Sequence, residues 1–303
     1  MSVEPMVYCL LLGCLISLLV IPVVLLPSLV RTLVEPRDHD TIPQPPDAKV
    51  NPPRLGGIPL ALAFLAVSLL TCFLSPLVWA EQHRQILALI WTALAMALVG
   101  AWDDFRPLGL GKKILLQAII SLAAFLQGIH IETFSGTSAG VHESWTAWSG
   151  ILTVLWLVGL TNLFNRIDVF HGLAGGIGLL LMGLLAYLGA GADSGFTTLC
   201  AIGMAGALLG FLTYNLPPAR IALGGGGACL VGFLIANLVI LQPGKDTKVA
   251  AFMALAMPLF GLCLVVLRNG SDGKLRPLTP ASASSHSEAV RPRDRRARSL
   301  PRR

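Results

Sequence analysis

The stretch SGILTVLWLVGLTNLFNRIDVFHGLAGGIGLLLMGLLAYLGAG, residues 149–191, decides the fold class. Two apolar runs, 149–164 and 172–191, flank a short polar segment from Asn165 to His171. An α-helix needs about 20 mostly apolar residues to cross a bilayer. Each run meets or approaches that length, and the polar segment turns the chain back between them. The reading is a pair of membrane helices.

The same pattern extends along the chain. Apolar runs at 7–30, 56–78, 86–102, 113–130, 195–214, 225–242 and 249–267 join the two above, which predicts nine membrane helices. Composition agrees: 54% of the 303 residues are hydrophobic and 13% charged, with a mean hydropathy of +0.74. A soluble domain carries roughly 25% charged residues to wet its surface, so this chain is read as an all-α polytopic membrane protein. The first run has no basic segment before it and no small-residue cleavage site after it, so it is read as a helix and not as a signal peptide. All six cysteines lie inside apolar runs, without the spacing of a disulfide framework or a zinc site.

Basic residues orient the set. With the N-terminus outside, the segments 31–55, 103–113, 165–171, 215–224 and 268–303 face the cytoplasm and hold nineteen Lys/Arg, against three on the other side. The positive-inside rule then predicts N-out, C-in. Residues 1–268 form the transmembrane domain, and 269–303 form a Ser/Pro/Arg-rich tail with seven Arg from Arg291 to Arg303. Such a tail should not fold alone. Beside a membrane helix it is better matched to anionic lipid than to nucleic acid, so no nucleic-acid partner is expected.

Ionisable groups near membrane helices are expensive and therefore informative. Asp103, Asp104 and Asp168 stand at predicted cytoplasmic helix ends. Asn162, Asn165 and Asp168 follow a spacing of three, a stripe that drifts round a helix. Lys112 and Lys113 follow the acidic pair closely enough to relieve its repulsion. Glycines 224–227 open a helix and could cradle phosphate at its N-terminus. Each feature has a plain reading as well: a solvated acidic loop, an amide joining helices, a glycine run that lets helices pack. The loop histidines His39, His83, His130, His142 and His286 share no spacing, and a histidine metal site is not expected.

Four segments in order carry a resemblance: Pro-Arg-Leu-Gly-Gly-Ile-Pro (53–59), Gly-Ala-Trp-Asp-Asp (100–104), Asn-Leu-Phe-Asn-Arg-Ile-Asp-Val-Phe-His-Gly-Leu-Ala-Gly-Gly (162–176) and Asn-Leu-Pro-Pro-Ala-Arg-Ile-Ala-Leu-Gly-Gly-Gly-Gly (215–227). This set resembles the polyprenyl-phosphate N-acetylhexosamine-1-phosphate transferases, which include phospho-N-acetylmuramoyl-pentapeptide transferase. The resemblance implies an enzyme of a bacterial inner membrane that moves a HexNAc-1-phosphate from a UDP-linked amino sugar to a polyprenyl phosphate such as undecaprenyl phosphate. It implies Mg²⁺ as cofactor, and membrane lipid and a second copy of the chain as further partners. By the same resemblance Asp103 and Asp104 position or deprotonate the lipid phosphate, and Asn162, Asn165 and Asp168 lie near the nucleotide. Lys112 or Lys113 matches a family lysine, and Arg220 and His171 complete the substrate-binding set. The three aspartates are also the implied metal ligands.

The departures from the family pattern fall where the chemistry is. Gly225 stands where the family places a Mg²⁺-binding aspartate, and Ala228 where it places a serine. His171 replaces a second carboxylate; Ala48-Lys49-Val50-Asn51 and residues 280–287 depart from two further signatures. Three hypotheses follow: an active transferase with an altered site, a non-catalytic relative that binds polyprenyl phosphate or a partner glycosylation protein, and a transporter. No internal repeat supports the last. If the metal site is merely short of a ligand, Gly225→Asp (with Ala228→Ser and His171→Asp) should restore Mg²⁺ affinity and transfer together.

Overall fold

The computed structural model describes residues 3–34, 52–74, 76–131, 142–168, 172–190 and 195–242. Among them there are eight helices and no strand: α1 (Val3–Val34), α2 (Gly57–Leu74), α3 (Pro76–Phe105), α4 (Leu110–Leu126), α5 (His142–Ile167), α6 (Leu173–Ala190), α7 (Gly195–Asn215) and α8 (Gly224–Ile240). Each matches one of the first eight predicted runs. The ninth, 249–267, and the tail lie outside the described residues, as do Ala48–Asn51 and His171.

Six helices are long and apolar enough to cross a membrane: Val3–Pro27, Gly57–Leu74, Gln82–Phe105, Trp148–Ile167, Leu173–Ala190 and Gly195–Asn215. They make the chain an integral membrane protein. The outer surface agrees with that solvent, because Leu11, Leu15 and Leu19 on α1 and Leu115, Ile119, Leu122 and Leu126 on α4 point outward. A water-soluble bundle would turn such stripes inward. Helices α4 and α8 are shorter, at 17 residues each, or about 25 Å at 1.5 Å per residue.

Burial explains the short α8. All 17 of its residues are buried, and α3, α5, α2 and α6 pack around it. A helix that is apolar all round belongs at the centre of such a bundle. Its glycines allow close neighbours, as small residues do between membrane helices. Helix α7 forms a second buried column, packed against α1, α6 and α2.

Candidate functional site

All four motif segments meet at the start of α8. The segment before α2 is tied to the loop before α8 by two backbone bonds: the Ala222 N–H donates to the Pro53 carbonyl and the Gly56 N–H to the Ala222 carbonyl, both at 3.0 Å. Asn215, at the end of α7, accepts from the Gly172 N–H at 2.8 Å and donates to the Ile221 carbonyl at 2.8 Å. That side chain fastens the turn before α6 to the same loop. The remaining two connections are carboxylates.

A helix start leaves its first N–H groups without partners inside the helix. Leu223 precedes α8 and offers no side-chain cap, so other helices supply the acceptors. Asp104, at the end of α3, accepts from the Gly225 N–H at 2.6 Å and the Gly226 N–H at 3.4 Å, both on Oδ2. Asp168, just beyond α5, accepts from the Gly224 N–H at 2.9 Å. Arg54 sits 3.6 Å from the other oxygen of Asp104. Gly224 has φ of +72°, a conformation that suits glycine and few other residues.

Asp103 faces elsewhere. Neighbours on a helix point about 100° apart, and Asp103 turns to α4, where its Oδ2 meets Lys113 Nζ at 2.7 Å. Its Oδ1 accepts from the Leu108 N–H at 2.8 Å. Lys113 is buried while Lys112 is exposed, which picks Lys113 as the partner of the acidic pair. A buried ammonium requires such a partner. Asn162 donates to Gln117 Oε1 at 2.6 Å, and Gln117 points its amide nitrogen at Cys229 Sγ, 3.9 Å away. Asn165 is half-buried, and Arg220 is exposed on the loop before α8.

Two participants escaped the sequence reading. Arg54 lies within a quoted motif, but its partner Asp104 is fifty residues on. Gln117 sits inside an apolar run, and its signal was the polar stripe Lys113, Gln117, Ser121 on the buried face of α4.

Three readings of the sequence meet this geometry. The glycine run is not an open phosphate cradle, because its first N–H groups already point at carboxylates. Nor is there room at position 225 for a returning carboxylate. A Cβ there would lie 2.7 Å from the Gly100 carbonyl oxygen and 3.2 Å from Asp104 Oδ2. The three aspartates proposed as metal ligands are also split, Asp103 toward α4 and the other two toward α8. Among the described residues no three His, Cys, Asp or Glu side chains gather as a metal-binding group. This donor set does not fit the implied Mg²⁺.

Burial pushes the Asp168 carboxyl from its ordinary 3.8 up to about 7; the Gly224 N–H and Arg54 pull it down, and nearby Asp104 pushes it up. A raised folded-state value means the folded protein holds the proton after the unfolded chain has released it. This contribution to stability is full below about pH 4 and is lost as pH rises through about 7. The thermal midpoint of the protein in micelles, followed from pH 5 to pH 8, should therefore fall more in the wild type than in Asp168→Asn. Parallel profiles would remove Asp168 as the source.

The family model for glycosyl transferase family 4 matches residues 86–242, just over half of the chain. The chain belongs to that family. Among its relatives are a probable undecaprenyl-phosphate N-acetylglucosaminyl 1-phosphate transferase of Bacillus subtilis (26% identical over 236 residues, 75% of this chain and 63% of the relative) and phospho-N-acetylmuramoyl-pentapeptide-transferases. Those of Staphylococcus saprophyticus and Enterococcus hirae are 28% identical over 255 residues and 29% over 238; the matches cover 78% and 75% of this chain, and 76% and 73% of those proteins. The chain thus spans less than two thirds of the B. subtilis relative. The family match contains Asp103, Asp104, Lys113, Asn162, Asp168 and the whole of α8, while Arg54 and the rest of the segment before α2 lie outside it.

Proposed function

We propose that the chain moves a HexNAc-1-phosphate from a UDP-sugar to a polyprenyl (undecaprenyl) phosphate to start an envelope polysaccharide. An oxygen of the lipid phosphate attacks the sugar-bearing phosphorus of the UDP-sugar, the P–O–P bond breaks, and UMP leaves. The observation that carries this reading is the convergence of all four motif segments on the start of α8. Basic asymmetry supports a cytoplasmic position for that end, with nine helices, N-out and C-in, in a bacterial inner membrane.

The lipid half of the reading has further support. A cavity of about 310 Å³ between α2 and α3 is lined by Ile58, Ala61, Leu94, Leu98 and Phe105, with Arg54 also at its wall. Hydrocarbon suits such a lining, and the guanidinium suits a phosphate at its end.

Position 225 favours a second reading, a relative that binds these ligands, or a partner glycosylation protein, without turnover. Phosphoryl transfer leans on a cation to offset charge on both reactants, and loss of a metal carboxylate removes several kcal/mol of transition-state stabilisation, about a thousandfold in rate. The purified protein with undecaprenyl phosphate, Mg²⁺ and a panel of UDP-sugars should release UMP about a thousandfold more slowly than the B. subtilis relative. No release with any sugar would select the second reading. A rate equal to that of the relative would contradict the weakened site.

A further inference from the structure

We infer that in this chain the Asp104 and Asp168 carboxyl groups are structural acceptors that hold the start of α8, and that the protein without nucleotide binds no divalent cation there. The sequence around the helix start, Leu223 followed by four glycines, contains no Ser, Thr, Asp or Asn to serve as a local cap. Three N–H groups therefore open into the packed centre of the bundle. Left unpaired, each would cost about 1–3 kcal/mol. They share two acceptors, Asp168 Oδ2 and Asp104 Oδ2, carboxylate oxygens from the ends of α5 and α3, which complement the positive end of the helix dipole.

The carboxylates are committed in charge as well as in geometry. Asp103 is paired with Lys113 and Asp104 with Arg54. Two of the three carboxylates thus already face a cation, which leaves little net negative charge for a divalent ion. Mg²⁺ demands near-octahedral oxygen ligands and gives up its water reluctantly. Asp104 Oδ2 already receives two N–H groups, and its Oδ1 has a guanidinium beside it. The backbone closes the remaining side, because α3 and α8 approach through Gly100 and Gly225 where a metal carboxylate would have to stand. The site is a self-capped helix start.

Mn²⁺, used as a paramagnetic stand-in for Mg²⁺, tests this on the full chain in micelles without nucleotide. Electron paramagnetic resonance should show no saturable Mn²⁺ binding in the submillimolar range, and Mg²⁺ should leave the thermal midpoint unchanged. With ¹⁵N-glycine labelling, the amides of residues 224–227 should not be broadened selectively by Mn²⁺. Saturable binding that disappears in Asp104→Asn or Asp168→Asn would overturn the inference. So would selective broadening of those amides in the wild type, which needs no variant to fold. Binding that survives both substitutions and spares those amides places the cation elsewhere and leaves the inference standing.

Discussion

Replacing Gly225 with aspartate is expected to destabilise the protein by about 3 kcal/mol and to leave UMP release no faster than in the wild type. The steric part comes from the backbone. A Cβ at 225 would be 2.7 Å from the Gly100 carbonyl oxygen, and a main-chain atom of α3 cannot swing aside as a side-chain tip can. Separating α3 from α8 is the remaining response, and it loosens the tightest contact around the helix start. The electrostatic part adds to it, since the new carboxylate would stand beside Asp104, whose Oδ2 is 3.2 Å from that Cβ. Gly225→Ala separates the two: it carries the backbone clash without the charge, and should give about 1–3 kcal/mol of the loss. Thermal unfolding in micelles measures both variants. A wild-type midpoint in Gly225→Asp together with a gain in Mg²⁺-dependent transfer would show that the two helices part easily and that the site can be rebuilt.

Asp104→Ala is the second large effect. It removes the acceptor of two N–H groups in the interior, the charge opposite Arg54 and the anion at the positive end of α8. The expected loss is about 2–3 kcal/mol. Asp104→Asn keeps an oxygen that can accept from Gly225 and should recover part of that loss. A catalytic carboxylate with no structural work would show no such ranking, with both variants as stable as the wild type.

The sequence made the helices legible because apolar length is a direct signal in a membrane chain. Ends were harder to place. Helix α3 begins at Pro76, ten residues before the apolar run at 86, because Glu81-Gln82-His83-Arg84-Gln85 continues the helix in polar residues that an apolar window rejects. Helix α1 runs through Pro22 and Pro27, since a membrane helix can re-satisfy what proline removes. At the site, Asp104 and Asp168 were visible as acids at helix ends. What each one does was not visible, since Asp103 and Asp104 look alike in sequence and part only when a helical turn sends one to Lys113 and the other to α8. Arg54, Gln117 and Gly100 act through partners far along the chain, and single-chain patterns do not report such pairs. The replacement at Gly225 was legible as a missing ligand. That its space had been taken by the Gly100 carbonyl required coordinates.

The most direct measurement is hydrogen exchange at the amides of Gly224, Gly225 and Gly226 in the full-length protein, compared between wild type and Asp104→Ala. If Asp104 holds the start of α8, protection at Gly225 and Gly226 should fall about tenfold to a hundredfold, as one or two lost hydrogen bonds imply. Gly224, held by Asp168, and the rest of α8 through Ile240 should change far less. Unchanged protection at Gly225 and Gly226 in the variant would contradict the account, because those amides would then owe nothing to the carboxylate.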